Sequence, residues 1–283
     1  MLVAAALALG LVVGSFLNVV IHRVPRGESI VRPGSRCPRC GRPIRPVENV
    51  PVLSYLALRG RCRGCRARIS PRYPLVELAT GLLFAAVAWR HGAGPETLLW
   101  MPFAAGLLAA ALIDLDHRII PDGVSLGGLA VGLVAVPSLA VWGGAAPGPA
   151  VARSLGGALL GGGTLWSVGF VHARVCSALG RRFEHWPGPG EPLPRPGSAD
   201  YWLWFPGMGL GDIKLLAAIG AFLGPTGVLE TIVAASLIGL VLGGAWALLR
   251  GRLSEPLGFG PALAAGALLV ALVPHRPLLE LLV

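Results

Sequence analysis

Four of the chain's five aspartates fall in two short motifs, Ile113-Asp114-Leu115-Asp116-His117-Arg118-Ile119-Ile120-Pro121-Asp122 and Gly207-Met208-Gly209-Leu210-Gly211-Asp212-Ile213-Lys214. Carboxylates beside membrane-spanning segments are costly and usually functional. Asp114 closes one hydrophobic segment and Asp212 opens another. Two carboxylates a few ångströms apart cannot both ionise cheaply, so they share one proton; one activates a water while the other protonates the leaving amine. Asp114 and Asp212 are the candidate catalytic pair for such chemistry.

The other polar residues of the motifs read differently. Asp116, two positions from Asp114, points to nearly the opposite side of a helix and so does not partner it. It reads as a solvated or Arg118-paired carboxylate, with substrate positioning as the rival. Asp122, after Pro121 at the start of the next span, reads as a helix N-cap ahead of a catalyst. His117 lacks a second ligand and reads as interfacial, as does Lys214, which lies on a different face from Asp212. The glycines before Asp212 remove side chains where an extended substrate would approach and let a helix start sharply. The positive end of a helix dipole favours ionised Asp212 and the negative end disfavours ionised Asp114. Asp212 is then the resting base and Asp114 the resting acid of a pair that titrates as a unit.

A second cluster is made of sulfur. Cys37-Pro38-Arg39-Cys40-Gly41 and Cys62-Arg63-Gly64-Cys65 are two CxxC knuckles separated by twenty-one residues. Each directs two thiolates at one point, with a Gly or small residue allowing the turn, and four thiolates satisfy tetrahedral zinc. With Cys37, Cys40, Cys62 and Cys65 all ligating, the site is closed and structural. A redox dithiol or a pair of disulfides is the rival reading, weakened by the reducing compartment that the basic flanks imply. Cys176, in an apolar context, reads as a small buried hydrophobe.

These residues need elements to hold them. Of the 283 residues, 54% are hydrophobic and 13% charged, against about a quarter charged in soluble domains. Spanning helices need roughly 17 to 25 apolar residues, and candidates run over Met1–Ile21, Thr97–Ile113, Gly123–Trp142, Ala150–Val171, Thr226–Leu249 and Leu257–Val273. Pro74–Trp89 and Asp212–Gly224 are shorter, giving about eight transmembrane helices. The expected fold is an all-α polytopic membrane protein with a small zinc-binding cytoplasmic domain inserted after the first helix. Its parts are residues 1–21, the first transmembrane helix; 22–73, the zinc-binding domain; and 74–283, the transmembrane domain bearing both acidic motifs. The first ten residues carry no basic n-region, so the first segment reads as a retained helix.

The net charge of +10 could indicate nucleic acid, but thirteen of the twenty-four Lys and Arg lie between Arg23 and Arg72. That is the positive-inside pattern, which places this segment in the cytoplasm and makes anionic lipid, not nucleic acid, its partner. Eight spans return the basic loops near Arg174–Arg195 and Arg250–Arg252 to the same side, and bring Asp114 and Asp212 to one membrane edge. The Gly-rich runs at 156–163 and 239–244 read as close helix packing. The Pro-rich stretch from about Cys176 to Met208, including Trp204-Phe205-Pro206, reads as a tolerated loop.

Together the motifs resemble the type IV prepilin leader peptidases, a family of GxGD-type intramembrane aspartic proteases. The resemblance runs through Gly14–Arg23, both knuckles, Arg72-Tyr73-Pro74-Leu75-Val76-Glu77-Leu78, Asp114–Asp122, Gly209–Leu216 and Phe259-Gly260-Pro261. It implies that Asp114 and Asp212 catalyse removal of basic leaders from prepilins or pseudopilins at the cytoplasmic face of the bacterial inner membrane. It also implies N-methylation of the new terminus with S-adenosylmethionine, for which no binding residues are assigned and no Gly-rich dinucleotide-type fingerprint is visible. Glu28, Glu48 and Glu77 are candidates for recognising the basic leader. A transporter or channel would place its acidic residues near the bilayer midplane, and a scaffold would leave the paired motifs idle.

Overall fold

The computed structural model describes residues 1–181, 195–203, 208–250 and 258–273, with side chains to residue 245 of the third segment. Residues 182–194, 204–207, 251–257 and 274–283 lie outside them, including most of the Pro-rich stretch, Trp204-Phe205-Pro206 and Gly207. The chain is all-α: α1 (Leu2–Arg23), α2 (Leu53–Ala57), α3 (Arg72–His91), α4 (Pro95–His117), α5 (Asp122–Trp142), α6 (Pro147–Ala178), α7 (Ala199–Leu203), α8 (Leu210–Arg250) and α9 (Gly260–Leu272). Among the described residues, extended pairing is limited to the isolated bridges Arg36–Pro43 and Arg61–Arg68. Among the described residues, each of the eight apolar segments falls on one of these helices or its immediate flanks. Five of these helices, α1, α4, α5, α6 and α8, are long and apolar enough to cross a membrane, and α9 is apolar but shorter. Arg72, Glu77 and Arg90 make α3 more polar.

The chain divides into two compact units, Met1–His117 and Arg118–Val283. In the first, α1 packs on α3 because small residues let the backbones close up. A Cβ at Gly10 would stand 2.6 Å from the Thr80 carbonyl oxygen, and one at Gly14 2.6 Å from the Glu77 Cα. Asn18 Nδ2 on α1 donates to the Tyr73 carbonyl at 3.1 Å, tying the two helices again at their other ends. The cysteine-bearing segment between them is tethered to α3 by buried Glu77, whose Oε2 accepts from the Val52 amide at 2.7 Å.

In the second unit α8 is the centre, flanked by α5, α6 and α9. A Cβ at Gly157 on α6 would lie 2.0 Å from the Gly220 oxygen, and one at Gly161 2.4 Å from the Leu216 oxygen. Ser154, fully buried between α5 and α8, donates towards the carbonyls of Gly132 at 2.9 Å and Ala221 at 2.7 Å. The 41 residues of α8 are two helices joined at Gly224, whose φ of 77° and ψ of −179° are not helical. Pro225 follows, and its ring cannot continue the preceding helix. The kink frees carbonyls, and Arg153 Nη2 donates to one of them, Leu223 O, at 3.1 Å. The Asp212–Gly224 and Thr226–Leu249 segments are the two arms of this element.

On the same unit, the short α7 is stacked against α6. Trp202 lies parallel to Phe170 at 5.4 Å, Trp166 Nε1 donates to the Trp202 carbonyl at 2.9 Å, and the Arg174 guanidinium covers Tyr201 at 3.5 Å. The chain leading into the second acidic motif is therefore anchored at residues 199–203 by aromatic and cation–π contacts.

Candidate functional site

Asp114 sits in the last turn of α4, 5% exposed, directly after Ile113, which is 0% exposed. The helix ends at His117, and Arg118 adopts a left-handed φ of 55°. Asp116 points elsewhere, as its two-residue offset requires, but its partner is not Arg118. Arg72 Nη1 donates to Oδ1 at 2.8 Å and Nη2 lies 2.6 Å from Oδ2, a bidentate pair between the start of α3 and the end of α4. Arg118 could not serve because its left-handed backbone turns the chain out of the helix at that point.

Asp212 lies in the first turn of α8 and is half-buried. Its amide donates to Gly209 O at 3.2 Å, which starts the helix. Gly211 has a packing reason as well as a chemical one, since a Cβ there would stand 3.0 Å from Ile120 Cβ. Two expectations for this region are corrected. Asp122 is not the N-cap of α5: Pro121 occupies that position with φ −62° and ψ 137°, which moves Asp122 into the first turn. Its carboxylate instead meets Lys214 Nζ at 2.5 Å, so Lys214 is an ion-pair partner and not simply an interfacial anchor.

The four knuckle cysteines converge, with their sulfurs all within 4.8 Å of one another and Cys37 Sγ 3.8 Å from Cys65 Sγ. Tetrahedral zinc with Zn–S of about 2.3 Å requires S···S separations of about 3.8 Å, so the donor set fits that ion. The knuckles are built alike. Cys37 N donates to Arg42 O at 2.9 Å and Gly41 N to Cys37 O at 2.9 Å; Cys62 N donates to Ala67 O at 2.8 Å and Arg66 N to Cys62 O at 3.0 Å. The left-handed residue is Gly41 in the first, at φ 68°, but Arg66 in the second, at φ 58°. The second turn is therefore made without a glycine, at a strain of roughly 1 kcal/mol. Amides of Cys40 and Arg39 hold the Cys37 thiol down at about 6. The Arg42 amide acts in the same sense on Cys40, but the neighbouring Cys37 sulfur and burial outweigh it and push Cys40 up to about 11.

Two of the three glutamates considered for leader binding are already engaged. Glu48, its side chain 6% exposed, accepts from Arg42 at 2.9 Å and lies 3.4 Å from Arg63. Glu77 holds the Val52 amide. Glu28 is exposed. Cys176 is buried as expected, with its sulfur 3.5 Å from His172 Nε2. Arg72 is the residue whose role the sequence did not disclose, because its partner is forty-four positions away.

Residues 8–91 match the Bacterial Peptidase A24 N-terminal domain, and residues 101–244 match the Type IV leader peptidase family. The chain is similar to proteins named prepilin leader peptidase/N-methyltransferase. It is 37% identical to one from Pseudomonas putida, covering 93% of this chain and 87% of the relative. It is 40% identical to one from Myxococcus xanthus, over 90% and 68%, and 34% identical to one from Neisseria gonorrhoeae, over 95% and 89%. No solved structure matches. Apolar helices of spanning length and matches over both parts of the chain make this a multi-pass membrane protein that belongs to the type IV prepilin leader peptidase family.

Proposed function

We propose that the protein is a membrane-embedded aspartic endopeptidase acting on type IV prepilins or pseudopilins, with Asp114 and Asp212 as its catalytic pair. It removes the basic leader at the cytoplasmic face of the bacterial inner membrane. It then methylates the new N-terminus with S-adenosylmethionine. What supports the assignment is placement: Asp114 is buried in the last turn of α4 and Asp212 lies in the first turn of α8, each at a helix end. Asp116 pairs with Arg72 and Asp122 with Lys214, and a carboxylate held by a cation is a weaker candidate for sharing a proton.

In the reaction, Asp212 takes a proton from a water whose oxygen adds to the scissile carbonyl carbon. Asp114 gives its proton to the departing nitrogen as the C–N bond breaks, and the pair then returns to sharing one proton. The dipoles at the start of α8 and the end of α4 bias this division of roles. Cys37, Cys40, Cys62 and Cys65 hold a structural zinc ion, which supplies a fixed fold to a segment too small for its own core. The proposed division is residues 1–21 as the first span, 22–73 as the cytoplasmic zinc domain in contact with anionic lipid, and 74–283 as the peptidase.

Co-expression with a prepilin tests this directly. The parent should shorten the pilin, and mass spectrometry of its first residue should show one added methyl group. Asp114→Asn and Asp212→Asn should each abolish shortening; cleavage that persists in either sinks the dyad.

A further inference from the structure

The placement of Arg72 and Asp116 is hard to explain by helix stability alone. Arg72 is the first residue of α3 and Asp116 the last but one of α4. A cation at a helix N-terminus and an anion at a C-terminus each oppose the macrodipole. The opposite arrangement would favour both helices, yet the chain keeps this one and joins the two side chains by a bidentate pair at 2.8 and 2.6 Å. Arg72 Nη2 also reaches Leu112 O at 3.4 Å, one turn before Asp116 on α4. The guanidinium therefore grips α4 at residues 112 and 116, either side of buried Asp114. Beyond this turn the chain leaves the helix through Arg118, a non-glycine residue at φ 55°.

The Arg72 end of the grip is itself fixed. Ser70 Oγ accepts from the Arg72 amide at 3.3 Å, Tyr73 O accepts from Asn18 of α1 at 3.1 Å, and Glu77 one turn on holds Val52 of the cysteine-bearing segment at 2.7 Å. Arg72 thus projects from the point where α1, α3 and that segment are tied together. Without it, an unneutralised Asp116 at the negative end of α4 would favour fraying of the turn that carries Asp114.

We infer that Arg72 and Asp116 are positioning residues for Asp114, a role that rests on the peptidase reading above for its kinetic consequence. Each fixes the last turn of α4 and neither exchanges a proton with substrate. The test uses the full chain in detergent, with Arg72→Gln, Asp116→Asn, Arg72→Lys and the exchanged pair Arg72→Asp/Asp116→Arg.

Hydrogen–deuterium exchange over residues 112–117 should quicken roughly five- to tenfold in both neutral variants, to an intermediate degree in Arg72→Lys, and return towards the parent in the exchanged pair. With a prepilin substrate, kcat should fall about tenfold or more at nearly constant KM in the neutral variants and recover in the exchanged pair. Arg118→Gln, which removes a nearby charge without touching the grip, should leave both measurements unchanged. Unchanged exchange in Arg72→Gln, or an exchanged pair that restores neither rate nor protection, overturns the inference. A parent that fails to cut prepilins condemns the peptidase reading instead, and the exchange measurement still decides whether the grip exists.

Discussion

The glycines of α6 give the sharpest quantitative prediction, because two of them on the same helix should respond to alanine with opposite signs. An added Cβ at Gly157 would lie 2.0 Å from Gly220 O, and the reciprocal Cβ at Gly220 2.1 Å from Gly157 O. Comfortable carbon–oxygen contact begins near about 3.3 Å, so α6 and α8 would have to separate by roughly 1 Å, and the obstructing atoms are backbone. A gap of that size forfeits up to about half of each dispersion contact along the seam, and overpacking of this kind costs up to about 3 kcal/mol. The better helix propensity of alanine returns about 1 kcal/mol, leaving a net loss of about 2 kcal/mol. Gly163 has no atom within 4 Å of its would-be Cβ, so Gly163→Ala should gain up to about 1 kcal/mol. Thermal unfolding in detergent reads the difference: Gly157→Ala should melt about 4–8 °C below the parent, and Gly163→Ala at or above it. Equal melting temperatures for the two variants would refute the close approach of α6 and α8.

Three further outcomes follow from the sites. Replacing any of Cys37, Cys40, Cys62 or Cys65 by serine should drop bound zinc from one per chain to near none by elemental analysis, whereas Cys176→Ser should retain it, since Cys176 is not among the four converging sulfurs. The Glu48 carboxyl is held below its ordinary range by the hydrogen bond from Arg42, so its stabilising contribution is present above its unfolded value of about 4.3 and lost as pH falls through the folded one. The stability advantage of the parent over Arg42→Met should therefore be constant near neutrality and shrink below about pH 4; an advantage that grows with acid contradicts the pairing. Asp122→Asn breaks an ion pair whose acidic partner is 62% exposed, so it should cost less than about 1 kcal/mol and leave prepilin cleavage within severalfold of the parent, where Asp114→Asn abolishes it.

What the sequence disclosed divides along a physical line. Features fixed by local spacing were legible. The two CxxC turns bring four sulfurs within 4.8 Å, and the apolar segments lie on helices even where Gly224 breaks one of them in two. In each case the determining forces act over a few residues. The Asp212–Gly224 and Thr226–Leu249 segments, read as two spans, are the two arms of one kinked helix. Burial of Cys176 followed from its apolar neighbours in the same way.

Features that depend on which helix meets which were not legible, and the errors share a cause. The nearest arginine to Asp116 in sequence is Arg118, yet the pair is made with Arg72 because α3 and α4 are packed neighbours and the Arg118 backbone has already left the helix. Asp122 was read against its own backbone, and Lys214 against the membrane interface, whereas each finds the other across ninety-two positions. Likewise the five glycines at 156–163 announced close packing without saying which would touch, and only Gly157 and Gly161 meet a backbone oxygen of α8 closer than 2.5 Å. Partner choice among charges is a long-range consequence of topology, and in a bundle whose helix ends carry most of the polar chemistry it decides which carboxylates are neutralised. The pairing of Asp116 with Arg72 and of Asp122 with Lys214 therefore depends on packing that no spacing rule contains.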